Sequence, residues 1–176
     1  TRMESLIQNL LKLAKLDAGS IELEKDRHNL REFLEQAIKS FQDRAHREGK
    51  TIVLQCAELI TMDFDAKWLF EAVSNIIKNA LDHTTAENRI EIRGEETPLL
   101  IQITIKDNGT GIHAEDIHHI FQRFYRSRFS QDQQGVGIGL ALSKAIIEQH
   151  GGSITVESEL GQGSAFCLLF PKLTDP

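Results

Sequence analysis

The stretch DQQGVGIGLALSKAIIEQHGG, from Asp132 to Gly152, constrains this chain more than any other. Gly135, Gly137 and Gly139 alternate with Val136 and Ile138 and then run straight into an apolar-periodic segment. A helix that opens on glycines presents unpaired backbone N–H groups, the positive end of its dipole, and room for a phosphate to come close. Neither familiar nucleotide loop fits. A dinucleotide fingerprint needs G-x-G-x-x-G after a strand; here Gly139 comes one position early, Leu140 takes the third slot, and SQDQQ before it is no strand. A P-loop needs G-K-[ST], and none follows. What remains is either a phosphate-binding helix start or a plain turn before an ordinary helix.

The order of the other elements narrows the fold. SIELEKD after Gly19 alternates like a strand, and Asn29 can cap a helix running to about Glu48, closed by Gly49. KTIVLQC and ITMDF read as short strands, and Asp65 caps a second helix, AKWLFEAVSNIIKNALDHT. NRIEIRGE and LLIQITIKD form two strands joined by a turn around Thr97-Pro98. A loop with short helical pieces follows from about Gly109 to Phe129. The glycine stretch supplies a third long helix, ended by Gly151-Gly152, before SITVESE and SAFCLLFP close the chain as strands around LGQG. Hairpin strands mixed with three helices predict an α/β fold: a two-layer sandwich with a mixed, mostly antiparallel sheet covered by three helices.

Bulk properties remove several function classes. A net charge of −6 with no basic stripe argues against nucleic acid as a partner. Cys56 and Cys167 lie far apart in apolar runs and read as core residues rather than a disulfide or metal pair. No run approaches the ~18 apolar residues that span a bilayer. The chain starts inside a helix. Met3, Leu6, Leu10 and Leu13, widened by Ile7, Leu11 and Ala14, form a stripe broad enough to need a partner helix, in a bundle or against its own domain.

Two further motifs carry chemistry. Asn75, Asn79 and Asp82 stand at i, i+4 and i+7 of the Asp65-capped helix, with Glu71 one turn earlier, while Leu69, Val73, Ile76 and Ala80 fall on the other side. Asparagine is a mediocre helix former, and its amide oxygen is a hard neutral ligand suited to Mg²⁺ that already carries phosphate and water. IKDNGTGI ends a strand at Lys106 and turns at Asp107-Asn108-Gly109, which holds a carboxylate where it could accept from an exocyclic amine.

Taken in order, NIIKNALDHT, DNGTGI, IFQRFYRS, GVGIGLALSKAIIEQHGG and GQGSAFCLLFP resemble the N, first glycine, phenylalanine, second glycine and final glycine boxes of one family. That family is the ATP-binding catalytic domain of bacterial sensor histidine kinases, in the superfamily of gyrase, the ninety-kilodalton heat-shock chaperone and MutL-type ATPases. The resemblance implies the Bergerat-type fold over residues 20–176. It also implies that 1–19 are the end of the second helix of a dimerisation and phosphotransfer hairpin. ATP and Mg²⁺ are the implied ligands. Asn79 becomes the Mg²⁺ ligand, with Asn75 supporting the metal or phosphate shell. Asp107 would bind the adenine amine, and Gly109 and Gly111 would let the backbone near the base. Gly135, Gly137 and Gly139 would flank the phosphates, and Ile112, Val136, Ile138 and Leu140 are carried over as lining. Phe121 and Phe124 would anchor a lid at about 122–136, and Arg123 or Arg126 would reach the γ-phosphate.

One departure stands in this pattern. Many members have Lys where this chain has Asp82, followed by His83, a pair resembling that of the chemotaxis kinases; His83 then becomes the substitute phosphate contact, and Asp82, which would repel a triphosphate unless it points at Mg²⁺ or solvent, is left unassigned. The superfamily's hydrolases carry Glu at the position of Asn75, and an amide cannot act as a base. Phosphoryl transfer is therefore implied rather than hydrolysis, to a histidine on the first hairpin helix and then to a response-regulator aspartate. None of the seven histidines stands in that acceptor motif, so this segment should bind ATP–Mg²⁺ without phosphorylating itself. The implied partners are its own hairpin, in a homodimer, and a cognate regulator. The implied setting is the cytoplasmic part of an inner-membrane sensor, with any membrane contact made through segments upstream. The competing expectation is a degenerate nucleotide-binding module that regulates without transfer.

Overall fold

The structure is a computed structural model and describes residues 1–125 and 138–172. In chain order come α1 (Arg2–Asp17), β1 (Asp26–Asn29), α2 (Leu30–Lys39), α3 (Gln42–Arg47), β2 (Thr51–Cys56), β3 (Thr61–Phe64) and α4 (Ala66–Asp82). They are followed by β4 (Arg89–Glu96), β5 (Leu100–Asp107), α5 (Gly139–Gln149), β6 (Ser153–Glu159) and β7 (Gly163–Pro171). Five strands form one sheet in the order β2-β4-β5-β7-β6, parallel between β2 and β4 and antiparallel elsewhere. β1 and β3 pair as a separate antiparallel ribbon.

Strand periodicity builds the layers. Ile90 and Ile92 of β4, Ile103 and Ile105 of β5, and Phe166 and Leu168 of β7 all point to one face and are fully buried. Against them pack Leu30, Leu34 and Ala37 of α2, Leu69, Val73, Ile76 and Ile77 of α4, and Leu142, Ile146 and Ile147 of α5. The opposite sheet face, with Arg93, Gln102 and Thr104, is exposed or half-exposed. This is the expected two-layer sandwich of a mixed, mostly antiparallel sheet under three helices.

Local signals placed the helix starts. Asn29 accepts from the Glu32 N–H at 2.9 Å and Asp65 from the Trp68 N–H at 3.1 Å. Three expectations need correction. Residues 20–25 are not a strand: β1 starts at Asp26 because its partner β3 offers only four residues. The helix after Asn29 is two helices, broken where Ser40 Oγ bonds back to the Gln36 carbonyl and the Phe41 N–H turns to Ile38. Between Gly109 and Tyr125 there are no helical pieces but successive turns, with N–H to carbonyl bonds three residues apart at Asp116, His119 and Gln122.

The stripe on α1 is divided. Leu13 and Leu16 are buried against the domain, while Met3, Ile7 and Leu11 stay exposed. Both cysteines are free thiols; Cys56 lies in the core as expected, whereas Cys167 is only half-buried on β7. No helix among the described residues is long and apolar enough to cross a membrane.

Candidate functional site

α4 carries the polar stripe because its other side is committed to the core. Leu69, Val73, Ile76 and Ala80 are at most 1% exposed, which leaves Glu71, Asn75, Asn79 and Asp82 half-buried on the flank. Glu71 accepts from Lys12 Nζ of α1 at 2.7 Å. Asn75 Nδ2 donates to the carbonyl of Gly139, the first residue of α5, at 3.2 Å. Ser143 Oγ, one turn further along α5, donates to the Ala72 carbonyl at 2.8 Å. The stripe and the glycine-opened helix start are therefore held side by side.

The turn after β5 closes the other end of the stripe. Asp107 continues the inward parity of Ile101, Ile103 and Ile105, so the two-residue period of the strand carries a carboxylate to the end of the core face. It is 2% exposed. Burial pushes its pKa up, opposed by backbone N–H bonds from Gly109 and Ser164 and by the nearby charge of His83. The Gly109 N–H reaches Asp107 Oδ1 at 2.9 Å. His83 caps α4, and its carbonyl accepts from the Thr110 N–H at 3.0 Å, tying the helix end to the Asp107 turn.

The glycines of this turn are demanded by protein backbone. A Cβ on Gly109 would lie 2.2 Å from the His83 carbonyl oxygen. At Gly111, with φ +75°, it would lie 2.3 Å from that of Glu159. Gly139 differs: a Cβ there would meet only Asn75, at 3.8 Å. Ile112 donates its N–H to Ser158 Oγ at 2.7 Å, Ile138 is buried at the start of α5, and Leu140 packs on the core from the helix's first turn.

The phenylalanine-box residues separate. Phe121 packs on the core, with its ring edge-on to Phe166 at 6.2 Å and Lys144 Nζ 5.6 Å from its centre. Phe124 does not share that burial: it is 59% exposed, with φ +63°, beside a groove of about 780 Å³ against Ile7, Leu10 and Leu11 of α1. The Arg123 guanidinium is paired with the Asp17 carboxylate of α1 rather than with the α4 stripe. Arg126, Gly135, Val136 and Gly137 lie outside the described residues.

Sequence reading missed two residues. Ser164, 7% exposed, pairs in register with Asp107 and shares a hydroxyl contact with Ser158 at 2.9 Å. The inward parity of β7 would have pointed to it. Arg44 binds Asp82 from thirty-eight positions away, and no local pattern signals that.

Asn75 is thus bonded to the first residue of α5, and the far end of the same α4 stripe is tied through His83 to the Asp107 turn. The family model that matches residues 64–174 is the Histidine kinase-, DNA gyrase B-, and HSP90-like ATPase. The Sensor protein SrrB of Staphylococcus aureus is 32% identical over 173 residues, which is 97% of this chain and 30% of the relative. The chain therefore spans about a third of the length of such relatives. The structure of full-length ShkA in complex with AMPPNP superposes with a TM-score of 0.86 at 27% identity, covering 97% of this chain and 36% of that one. The catalytic domain of the histidine kinase ThkA shares the fold, with a TM-score of 0.76 at 23% identity over 85% of this chain and 99% of that one.

Proposed function

The chain belongs to the histidine kinase-, DNA gyrase B- and HSP90-like ATPases, as the ATP-binding domain of a sensor histidine kinase, and from that premise we propose that it is the phosphoryl-donating half of the kinase reaction. Its acceptor is a histidine on the first helix of a dimerisation hairpin, and a response-regulator aspartate receives the group next. Residues 1–19 are the end of the hairpin's second helix and 20–176 the catalytic domain, the cytoplasmic part of a membrane-anchored sensor.

The observation that carries this reading is the convergence of three motifs distant in sequence. The Asn75–Gly139 bond sets the amide stripe against the α5 start, and the His83–Thr110 bond sets the Asp107 turn at the stripe's other end. Mg²⁺–ATP supplies the γ-phosphoryl group and the divalent charge that offsets its negative charge. Asp107 accepts from the adenine amine, and its burial keeps water from competing for that bond. Asn79 offers its amide oxygen to the metal. Asn75, with Nδ2 given to Gly139, keeps its own oxygen for the metal or phosphate shell. Having no proton-accepting group at Asn75, the site does not activate water, and its contribution is positioning and charge stabilisation.

The test is nucleotide titration with and without Mg²⁺, followed by labelled ATP alone, with added hairpin, and with hairpin plus regulator. The expected result is Mg²⁺-dependent binding, no acid-labile phosphate on this chain alone, and transfer once hairpin is added. Binding with no transfer to either partner would overturn the kinase reading in favour of a regulatory module.

A further inference from the structure

Asp82 is an anomaly on a stripe that faces a triphosphate, because a carboxylate there repels phosphate and stands at the negative end of the α4 dipole. Both of its oxygens are engaged. Arg44 Nη2 donates to Oδ1 at 2.7 Å and Lys78 Nζ to Oδ2 at 3.0 Å. Arg44 is braced in turn: its Nε donates to Glu48 Oε2 at 2.8 Å. Glu48 Oε1 accepts from Lys50 Nζ at 2.6 Å, and that ammonium also donates to the Leu81 carbonyl at 2.6 Å. The array thus sets three cations against two carboxylates around the last turn of α4. Its inner members are sheltered, with side-chain exposures of 7% for Lys50, 19% for Asp82 and 27% for Arg44, so solvent screens them less than a surface pair.

We propose that Arg44 is a positioning residue of the nucleotide site. By neutralising Asp82 from α3, and together with Lys78, it converts the C-terminal end of the α4 stripe from a surface that repels polyphosphate into one that tolerates it. Asp82 is then the socket that holds these cations beside Asn79, and needs no metal or phosphate contact of its own. This rests on the reading that the α4 stripe faces Mg²⁺–ATP.

The experiment measures Mg²⁺–ATP affinity for the parent chain, Arg44→Met, Lys78→Met, Asp82→Asn, and each cation variant combined with Asp82→Asn, at low and moderate salt. Arg44→Met should weaken binding about five-fold at low salt and Lys78→Met about two-fold, the size of one unmasked charge at moderate distance. Combination with Asp82→Asn should abolish most of each loss, bringing the Arg44→Met double variant to within about two-fold, and the Lys78→Met double variant to within about 1.2-fold, of Asp82→Asn alone, because the charge to be masked is gone. The losses should shrink as the screening length falls from about 30 Å at 0.01 M salt to about 8 Å at 0.15 M. A purely structural role for Arg44 predicts neither the rescue nor the salt dependence. If the parent does not bind Mg²⁺–ATP, the site reading itself fails. If the parent binds but Arg44→Met binds equally well, or its loss persists beside Asp82→Asn, only the Arg44 inference is overturned. Should circular dichroism show Arg44→Met unfolded, the exposed Lys78 series decides by the same criterion.

Discussion

The Asn75 carboxamide donates to the Gly139 carbonyl across 3.2 Å, joining the middle of one helix to the first residue of another sixty-four positions later. With the Ser143–Ala72 bond, it holds the amide stripe beside the glycine-opened helix. Asn75→Asp replaces the donor by an acceptor that faces the same carbonyl. We expect a stability loss of about 1–2 kcal/mol, read by thermal unfolding, together with weaker Mg²⁺–nucleotide binding. An Asn75→Asp protein as stable as its parent would show that the bond contributes nothing.

The glycines divide into replaceable and irreplaceable positions. Gly139→Ala meets only Asn75, at ordinary contact distance, and removes backbone freedom from the unfolded chain, so stability should hold or rise by up to about 1 kcal/mol. Gly163→Ala would place its methyl 2.1 Å from the Asp107 carbonyl oxygen at φ +100°, and Gly111→Ala is similarly blocked. Each of these should lower stability by more than about 2 kcal/mol. Denaturant midpoints for the three variants check the order.

Asp107 should trade stability for recognition. Burial first of all raises its folded pKa above the unfolded value of 3.8, so its contribution to stability is fully present below that value and lost as pH rises through the folded pKa. Wherever it is ionised, the carboxylate is therefore less favourable to the fold than its protonated form, and Asp107→Asn should stabilise the protein above the folded pKa. If the proposed site is right, the same change removes the acceptor for the adenine amine, so preference for adenine over guanine nucleotides should fall at least ten-fold in competition titrations. In the parent chain, nucleotide affinity should decline as acid protonates Asp107.

His150 supplies the opposite dependence. Its Nε2 accepts from the Asp65 N–H at 3.1 Å, and Nδ1 contacts the Ile146 carbonyl at 2.9 Å, an arrangement that suits the neutral ring. Burial lowers its pKa, aided by Lys25 and opposed by the Ile146 carbonyl and Asp65. With the folded value below the unfolded 6.5, the stability it contributes is present above pH 6.5 and is lost as pH falls through the folded value. His150→Gln should flatten the stability profile in that window; an unchanged profile would remove His150 as the cause.

Much of the fold was legible because its signals are local. The caps at Asn29 and Asp65, the turn at Thr97-Pro98 and the stop at Gly151 each involve neighbours a few residues apart, and hydrophobic periodicity separated strands from helices. SIELEKD failed the same test: alternation offers a strand, but pairing requires a partner of matching length, and β3 provides four residues. The candidate site was legible as three motifs in order, yet two of its features were not. Ser164 needs the β5–β7 register to be seen beside Asp107, and Arg44 needs α3 to be brought within reach of Asp82 on α4.

By itself, then, the sequence determined the layers, the amide stripe, the inward parity that buries Asp107 and the helix start at Gly139, since short-range periodicity and capping decide all of these. Tertiary structure alone decided which partners the polar groups take. It gave Asp82 to Arg44, Arg123 to Asp17 and His150 to Asp65, and left Phe124 outside the core. Charges and hydrogen bonds act through space, and no spacing along the chain records which distant element will arrive beside them.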